Sequence, residues 1–112
     1  MKFEIYQSEN KGQYYFRLKA GNGQIILSSQ GYSNKAGCKN GVESVQKHGE
    51  DDGNFERKEA ANGKFHFNLK AGNGQIIGSS QMYAAMASME KGIASVKRTA
   101  PQARVVDLSL EG

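Results

Sequence analysis

Leu18-Lys19-Ala20-Gly21-Asn22-Gly23-Gln24-Ile25-Ile26 recurs unchanged as Leu69-Lys70-Ala71-Gly72-Asn73-Gly74-Gln75-Ile76-Ile77, and this identity at an offset of 51 decides the architecture. At the same offset Gly12 matches Gly63, Phe16 matches Phe67, Ser28-Ser29-Gln30 matches Ser79-Ser80-Gln81, Tyr32 matches Tyr83, Gly41 matches Gly92, and Ser44-Val45 matches Ser95-Val96. The opening Phe3-Glu4 matches Phe55-Glu56 at an offset of 52, so the loop before Gly63 is one residue shorter than its counterpart. Loops tolerate such deletions. Two units of this size are too few for an open solenoid, so they are expected to close on each other about a pseudo-two-fold axis. The expectation is one domain over 1–112, with repeat one over 2–50, repeat two over 54–110 and an acidic linker over 50–53.

Within each unit the period changes once. Tyr14, Phe16 and Leu18 alternate with Tyr15, Arg17 and Lys19, and Phe65, Phe67 and Leu69 alternate with His66, Asn68 and Lys70, the period of two of a half-buried strand. Gly21-Asn22-Gly23 then supplies residues suited to a tight turn, and Gln24 to Ser28 resumes a β-rich run, so the pair reads as an antiparallel hairpin. Phe3 to Tyr6 and Phe55 to Glu59 read as opening strands. After the hairpin, Met82, Met86, Met89, Ile93 and Val96 are spaced by 4, 3, 4 and 3, which places one stripe on an α-helix covering the sheet. Cys38, Val42 and Val45 hold the equivalent positions in the first copy, with Ser33 as the expected N-cap and Lys47 favourable near the C-terminal end. A second stripe is small: Gly37, Gly41 and Ser44 match Ser88, Gly92 and Ser95. A mid-helix glycine costs about 0.5–1 kcal/mol against alanine, so its presence in both copies implies close packing on a neighbour. Pro101 ends the second helix, and Arg104 to Leu108 reads as a closing strand.

The chain has 112 residues, 38% hydrophobic and 23% charged, with fifteen Lys and Arg against eleven Asp and Glu. That balance is globular rather than disordered, and no apolar run approaches the roughly 20 residues of a membrane-spanning helix. The net charge of +4 is scattered along the chain. A single cysteine, Cys38, forms no disulfide within the chain, and the start carries no apolar signal segment, so the expected compartment is the cytoplasm and the expected state a monomer with internal pseudo-symmetry.

The Lys-Ala-Gly-Asn-Gly-Gln-Ile-Ile hairpin, the Ser-Ser-Gln-x-Tyr after it and the Gly-[Val/Ile]-x-Ser-Val of each helix resemble the YegP-like family of small bacterial tandem-repeat proteins of unknown function. The resemblance covers nearly the whole chain. It implies an α+β fold of two tandem β-β-β-α-β repeats, forming one antiparallel sheet with two helices packed on one face and the closing strands exchanged. Only one strand-like run, Phe55 to Glu59, lies between the first helix and the Phe65 strand. It closes repeat one, opens repeat two, or does both. The family carries no activity to transfer.

No catalytic constellation emerges from the residues. Gly21-Asn22-Gly23 opens a strand, where a dinucleotide fingerprint opens a helix. Cys38, His48 and His66 are dispersed and none recurs at its repeat partner, so no metal site is expected and no cofactor is implied. Cys38 lies on the buried stripe about three turns from His48, too far for a dyad within one helix. The protein is therefore expected not to be an enzyme.

Two readings of function remain. In the first, a non-enzymatic protein-interaction module recruits a protein partner through the outer sheet face, carrying Tyr15, Arg17, Lys19, His66, Asn68 and Lys70, or through an unpaired edge. In the second, Tyr15, Arg17, Lys19, Lys64 and Lys70 bind RNA or single-stranded DNA by stacking and phosphate contact. The duplicated Asn22 and Asn73 complete the candidate binding set. A continuous basic face favours nucleic acid, and alternating signs around an apolar patch favour protein. No membrane partner is expected.

Overall fold

The alternation in the repeated hairpin sorts its side chains onto two faces. Phe16, Leu18, Phe67 and Leu69 are wholly buried beneath the helices, while Tyr15, Arg17, Lys19, His66 and Lys70 point to the other side. The computed structural model describes residues 1–10 and 12–109. Its elements are β1 (Lys2–Gln7), β2 (Tyr14–Lys19), β3 (Ile25–Ser28), α1 (Lys35–His48), β4 (Phe55–Glu59), β5 (Phe65–Lys70), β6 (Ile76–Ser79), α2 (Met86–Thr99) and β7 (Arg104–Asp107). One 3-10 turn precedes β4 and another, containing Pro101, follows α2.

All seven strands form one sheet in the order β4-β5-β6-β3-β2-β1-β7, with both helices on one face. The two repeats meet at its centre, where β3 and β6 pair through Ser28 and Ser79. The sheet is antiparallel except at one edge, where β7 runs parallel to β1 with Phe3 beside Val105 and Ile5 beside Asp107. The all-antiparallel expectation is corrected there. The chain leaves α2 on the helix layer and returns to the edge of the opposite repeat, and this crossover sets β7 in the same direction as β1. The exchange is found in one direction: the last strand of repeat two completes repeat one.

The run at Phe55–Glu59 takes the opening position. Phe55 pairs with Leu69 as Phe3 pairs with Leu18, and Glu56 with Asn68 as Glu4 with Arg17. No strand among the described residues lies outside β4.

The β2–β3 and β5–β6 hairpins each carry a bulge, after Leu18 and after Leu69. The extra residue lets two neighbours, Ile26 with Leu27 and Ile77 with Gly78, both turn inward. Gly23 and Gly74 close the turns at φ 84°, where a side chain would be strained. At the centre the repeats part company. Leu27 is wholly buried, and a Cβ at its counterpart Gly78 would lie 2.8 Å from Leu27 Cγ. Only one leucine fits across the pseudo-dyad.

Within the small stripe Gly41 and Gly92 pack closely, each on a side chain, while Ser88 is exposed. A Cβ on Gly41 would lie 2.9 Å from the Tyr32 ring and one on Gly92 would lie 2.9 Å from the Tyr83 ring, so each tyrosine lies across its own helix. Tyr32 stacks on Phe16 and Tyr83 on Phe67. Two helix expectations are corrected. Asn34, not Ser33, caps α1, accepting from Gly37 N–H through Oδ1 at 2.7 Å. Met82 and Met86 do not join the buried stripe, being 44% and 57% exposed, because α2 starts only at Met86 and its buried face runs through Met89, Ile93 and Val96.

Candidate functional site: the open face of the sheet

The face away from the helices is built around a carboxylate at each end. Glu4, on β1, is almost wholly buried beneath its neighbours. Its Oε1 accepts from Arg17 Nε at 2.7 Å and meets Lys19 Nζ at 3.2 Å, and its Oε2 meets Lys2 Nζ at 3.4 Å. Burial alone would raise the Glu4 pKa, but hydrogen bonds and charges from Arg17 and Lys19 outweigh it and hold the carboxyl at about 2. The Arg17 guanidinium also lies 4.6 Å from the centre of the Tyr6 ring, which stacks on Tyr15 at 5.6 Å.

The second repeat mirrors this with softer chemistry. Glu56 accepts from Asn68 Nδ2 at 3.1 Å and pairs with Lys70 Nζ at 2.9 Å, with Lys58 at 3.8 Å. The hydrogen bond from Asn68, followed by that from Lys70, lowers its pKa. Asn68 is fixed in turn by Ser79 Oγ, which donates to its Oδ1 at 2.7 Å.

Between the two clusters, on the pseudo-dyad, lies a groove of about 480 Å³. Ile25, Ser28 and Gln30 line one side, and Ile76, Ser79 and Gln81 the other. Ile25 and Ile76 are 37% and 40% exposed, two of the few large apolar side chains on the surface. Ser29 and Ser80 are structural, since their Oγ atoms accept from Phe16 N–H and Phe67 N–H at 2.9 Å and stitch the strand ends together.

Tyr15, Arg17 and Lys19 thus stand together, with Lys70 on the same face across the dyad, but every one of these cations faces a carboxylate. Asn22 and Asn73 do not join them. They sit at the hairpin tips, where their Oδ1 atoms accept from Gln24 N–H and Gln75 N–H at 3.0 Å and hold the turns. Sequence reasoning missed Glu4, Glu56, Ile25 and Ile76 as parts of the face; the repeat of Phe-Glu at an offset of 52 was the one signal pointing to the carboxylates.

The other chemistry-bearing side chains are spread out. Cys38 is buried, and burial pushes its thiol up to about 11, far from a nucleophilic thiolate. His48 Nε2 accepts from Gly72 N–H at 3.3 Å, tying α1 to the hairpin of the other repeat. Among the described residues no three His, Cys, Asp or Glu side chains gather as metal ligands. Among the described residues no helix is long and apolar enough to cross a membrane.

A family model described as a domain of unknown function, DUF1508, matches the chain twice, over residues 9–56 and 60–107, in step with the repeat. A protein of Stutzerimonas stutzeri named "UPF0339 protein in ptx operon 5'region" is 58% identical over 106 residues, covering 95% of each chain. The UPF0339 protein YegP of Escherichia coli K12 is 50% identical over 105 residues, 94% of each. The solution structure of a YegP protein of unknown function from E. coli superposes with a TM-score of 0.91 at 47% identity, covering 99% of this chain and 95% of that one. That of the Shewanella oneidensis UPF0339 protein SO3888 does so with 0.92 at 44%, covering 98% and 92%.

Proposed function

Since the chain belongs to the DUF1508 family, in tandem form, and that family's description carries no activity, we propose that it is a non-enzymatic protein-interaction module whose contact surface is the open sheet face. The observation that carries this reading is the dyad groove: one exposed isoleucine from each repeat lies along it, flanked by clusters in which Glu4 gathers Lys2, Arg17 and Lys19 and Glu56 gathers Lys58 and Lys70. Apolar side chains set among ion-paired ones suit a protein contact, and Tyr6, Tyr15 and Arg17 are residue types that carry binding energy there. The alternative, single-stranded RNA or DNA, has less support. Its phosphates would compete with Glu4 and Glu56 for Arg17, Lys19 and Lys70, and stacking is offered by the Tyr6–Tyr15 pair and His66.

Capture from bacterial lysate with the intact chain and with an Ile25→Asp/Ile76→Asp variant tests the reading. A protein retained by the first and lost by the second supports it. Equal capture by both, or labelled single-stranded RNA that binds at about 50 mM salt and persists at about 200 mM, overturns it.

A further inference from the structure

The pseudo-dyad supplies an internal standard for each edge of the sheet. At one edge β7 covers β1; at the other β4 has the same place in its repeat as β1, with no strand outside it among the described residues. The consequence shows in the side chains. Glu4 is 6% exposed and its counterpart Glu56 is 32% exposed, while Ile5 is wholly buried and its counterpart Arg57 is exposed. We propose that the outer edge of β4 is a docking site for an extended peptide segment of a partner protein, added parallel to β4 as β7 is added to β1, with an apolar side chain seated between Phe65, Met86 and Met89.

Three observations specify the occupant. A groove of about 200 Å³ runs beside β4, floored by Phe65, Met86 and Met89 and walled by Arg57, Lys58 and Glu59. In the covered half, the β7 residue facing the helix start is Asp107, paired with Lys35 at 2.9 Å. In the open half Lys35 is replaced by Met86, 57% exposed, so the matching residue of the incoming strand is apolar rather than acidic. Arg57 leaves the edge clear, because Glu90 and Asp52 draw its guanidinium toward α2.

A second copy of the chain fits less well. Its own candidate strand, β7, is already engaged on β1. Antiparallel pairing of β4 with β4, centred on Arg57, places two guanidiniums opposite each other. A five-residue edge also falls well short of the roughly 800 Å² per partner that a stable folded interface buries. A short linear segment matches both the size and the geometry, the strand-addition mode of peptide recognition. The inference is independent of the open-face reading.

The test is an NMR titration of the isotope-labelled full chain with a synthetic peptide carrying the sequence of residues 102–108 with Asp107→Leu. The expected result is saturable shifts confined to the amides of residues 55–59 and the methyls of Met86 and Met89, with Kd on the order of 1 mM. A peptide with a further Val106→Pro change should bind at least about tenfold more weakly, since proline removes a ladder donor. In the protein, Met86→Glu places a carboxylate in the groove at an already exposed position and should weaken binding about tenfold with the spectrum otherwise intact. Absence of shifts at β4, shifts centred on β1 and β7, equal binding of the proline peptide, or unchanged binding by Met86→Glu each overturns the proposal. Concentration-dependent shifts of residues 55–59 in the chain alone would assign the edge to a second copy and overturn it as well.

Discussion

Exchanging Leu27 and Gly78 across the pseudo-dyad tests whether the two repeats share one core. Gly78→Leu alone drives a side chain into Leu27, whose Cγ, Cδ2 and Cδ1 lie 2.8, 2.9 and 3.1 Å from the new Cβ position. Three contacts from a wholly buried leucine leave no direction of escape, so the cost should lie at the upper end of the about 1–3 kcal/mol typical of overpacking. Leu27→Gly alone empties the same space from the other side, at roughly 3–5 kcal/mol, with a further fraction of a kcal/mol for glycine in a strand. Together the substitutions return one leucine to one site, entering from β6 instead of β3. The double variant should therefore recover to within about 2 kcal/mol of the original protein, giving a coupling of at least about 4 kcal/mol between the sites. Urea denaturation followed by circular dichroism measures all four species. Where a single variant unfolds outright, the milder pair Gly78→Ala and Leu27→Ala gives the same cycle. Additive losses in the double variant would refute the shared site, and with it the pseudo-symmetric core.

Other outcomes follow from individual contacts. Because the Glu4 pKa is depressed to about 2 in the fold against an ordinary 4.5, its contribution is present above pH 4.5 and is lost as the pH falls toward 2. In Glu4→Gln the loss of stability over that window should be smaller, by no more than about 3 kcal/mol, as read by denaturation at pH 6 and pH 2.5. Gly92→Leu should destabilise by about 1–3 kcal/mol or more because Tyr83 and Phe67 occupy the space, whereas an unchanged melting temperature would place the small stripe in solvent. Cys38 should resist alkylation in the native protein and react fully in denaturant, since the thiol is buried with its pKa raised to about 11. Arg57→Ala should cost no more than about 1 kcal/mol in thermal unfolding, because its partners Asp52 and Glu90 lie near solvent.

The strands and helices were legible because each leaves a periodic signature. Tyr14 to Lys19 alternates, and Met89, Ile93 and Val96 recur at helical spacing; the structure buries Phe16, Leu18, Met89, Ile93 and Val96 and half-buries Tyr14. The extension of that stripe to Met82 and Met86 failed because periodicity does not mark where a helix begins. Asn34 over Ser33 as the cap is the same one-residue ambiguity. The direction of β7 was not legible, since a four-residue strand has no internal sign of parallel or antiparallel pairing. Nor was the burial of Ile26 beside Leu27, which depends on a bulge. For the candidate site, alternation put Tyr15, Arg17, Lys19 and Lys70 on one face, but cross-strand partners come from register. The pairing of Glu4 with Arg17 follows from how β1 aligns with β2, and it changes the face from a row of free cations into cations gathered around a shared carboxylate. Asn22 and Asn73 stand out by duplication, and a repeated turn accounts for it.

The most direct test of the open face as a contact surface is photo-crosslinking in living bacteria, with a benzophenone side chain at position 25 or 76 and a control at exposed Glu43 on α1. The account expects both open-face positions to trap the same protein partner, with nothing comparable at position 43. Crosslinks to nucleic acid, or no more product at 25 and 76 than at 43, would contradict it.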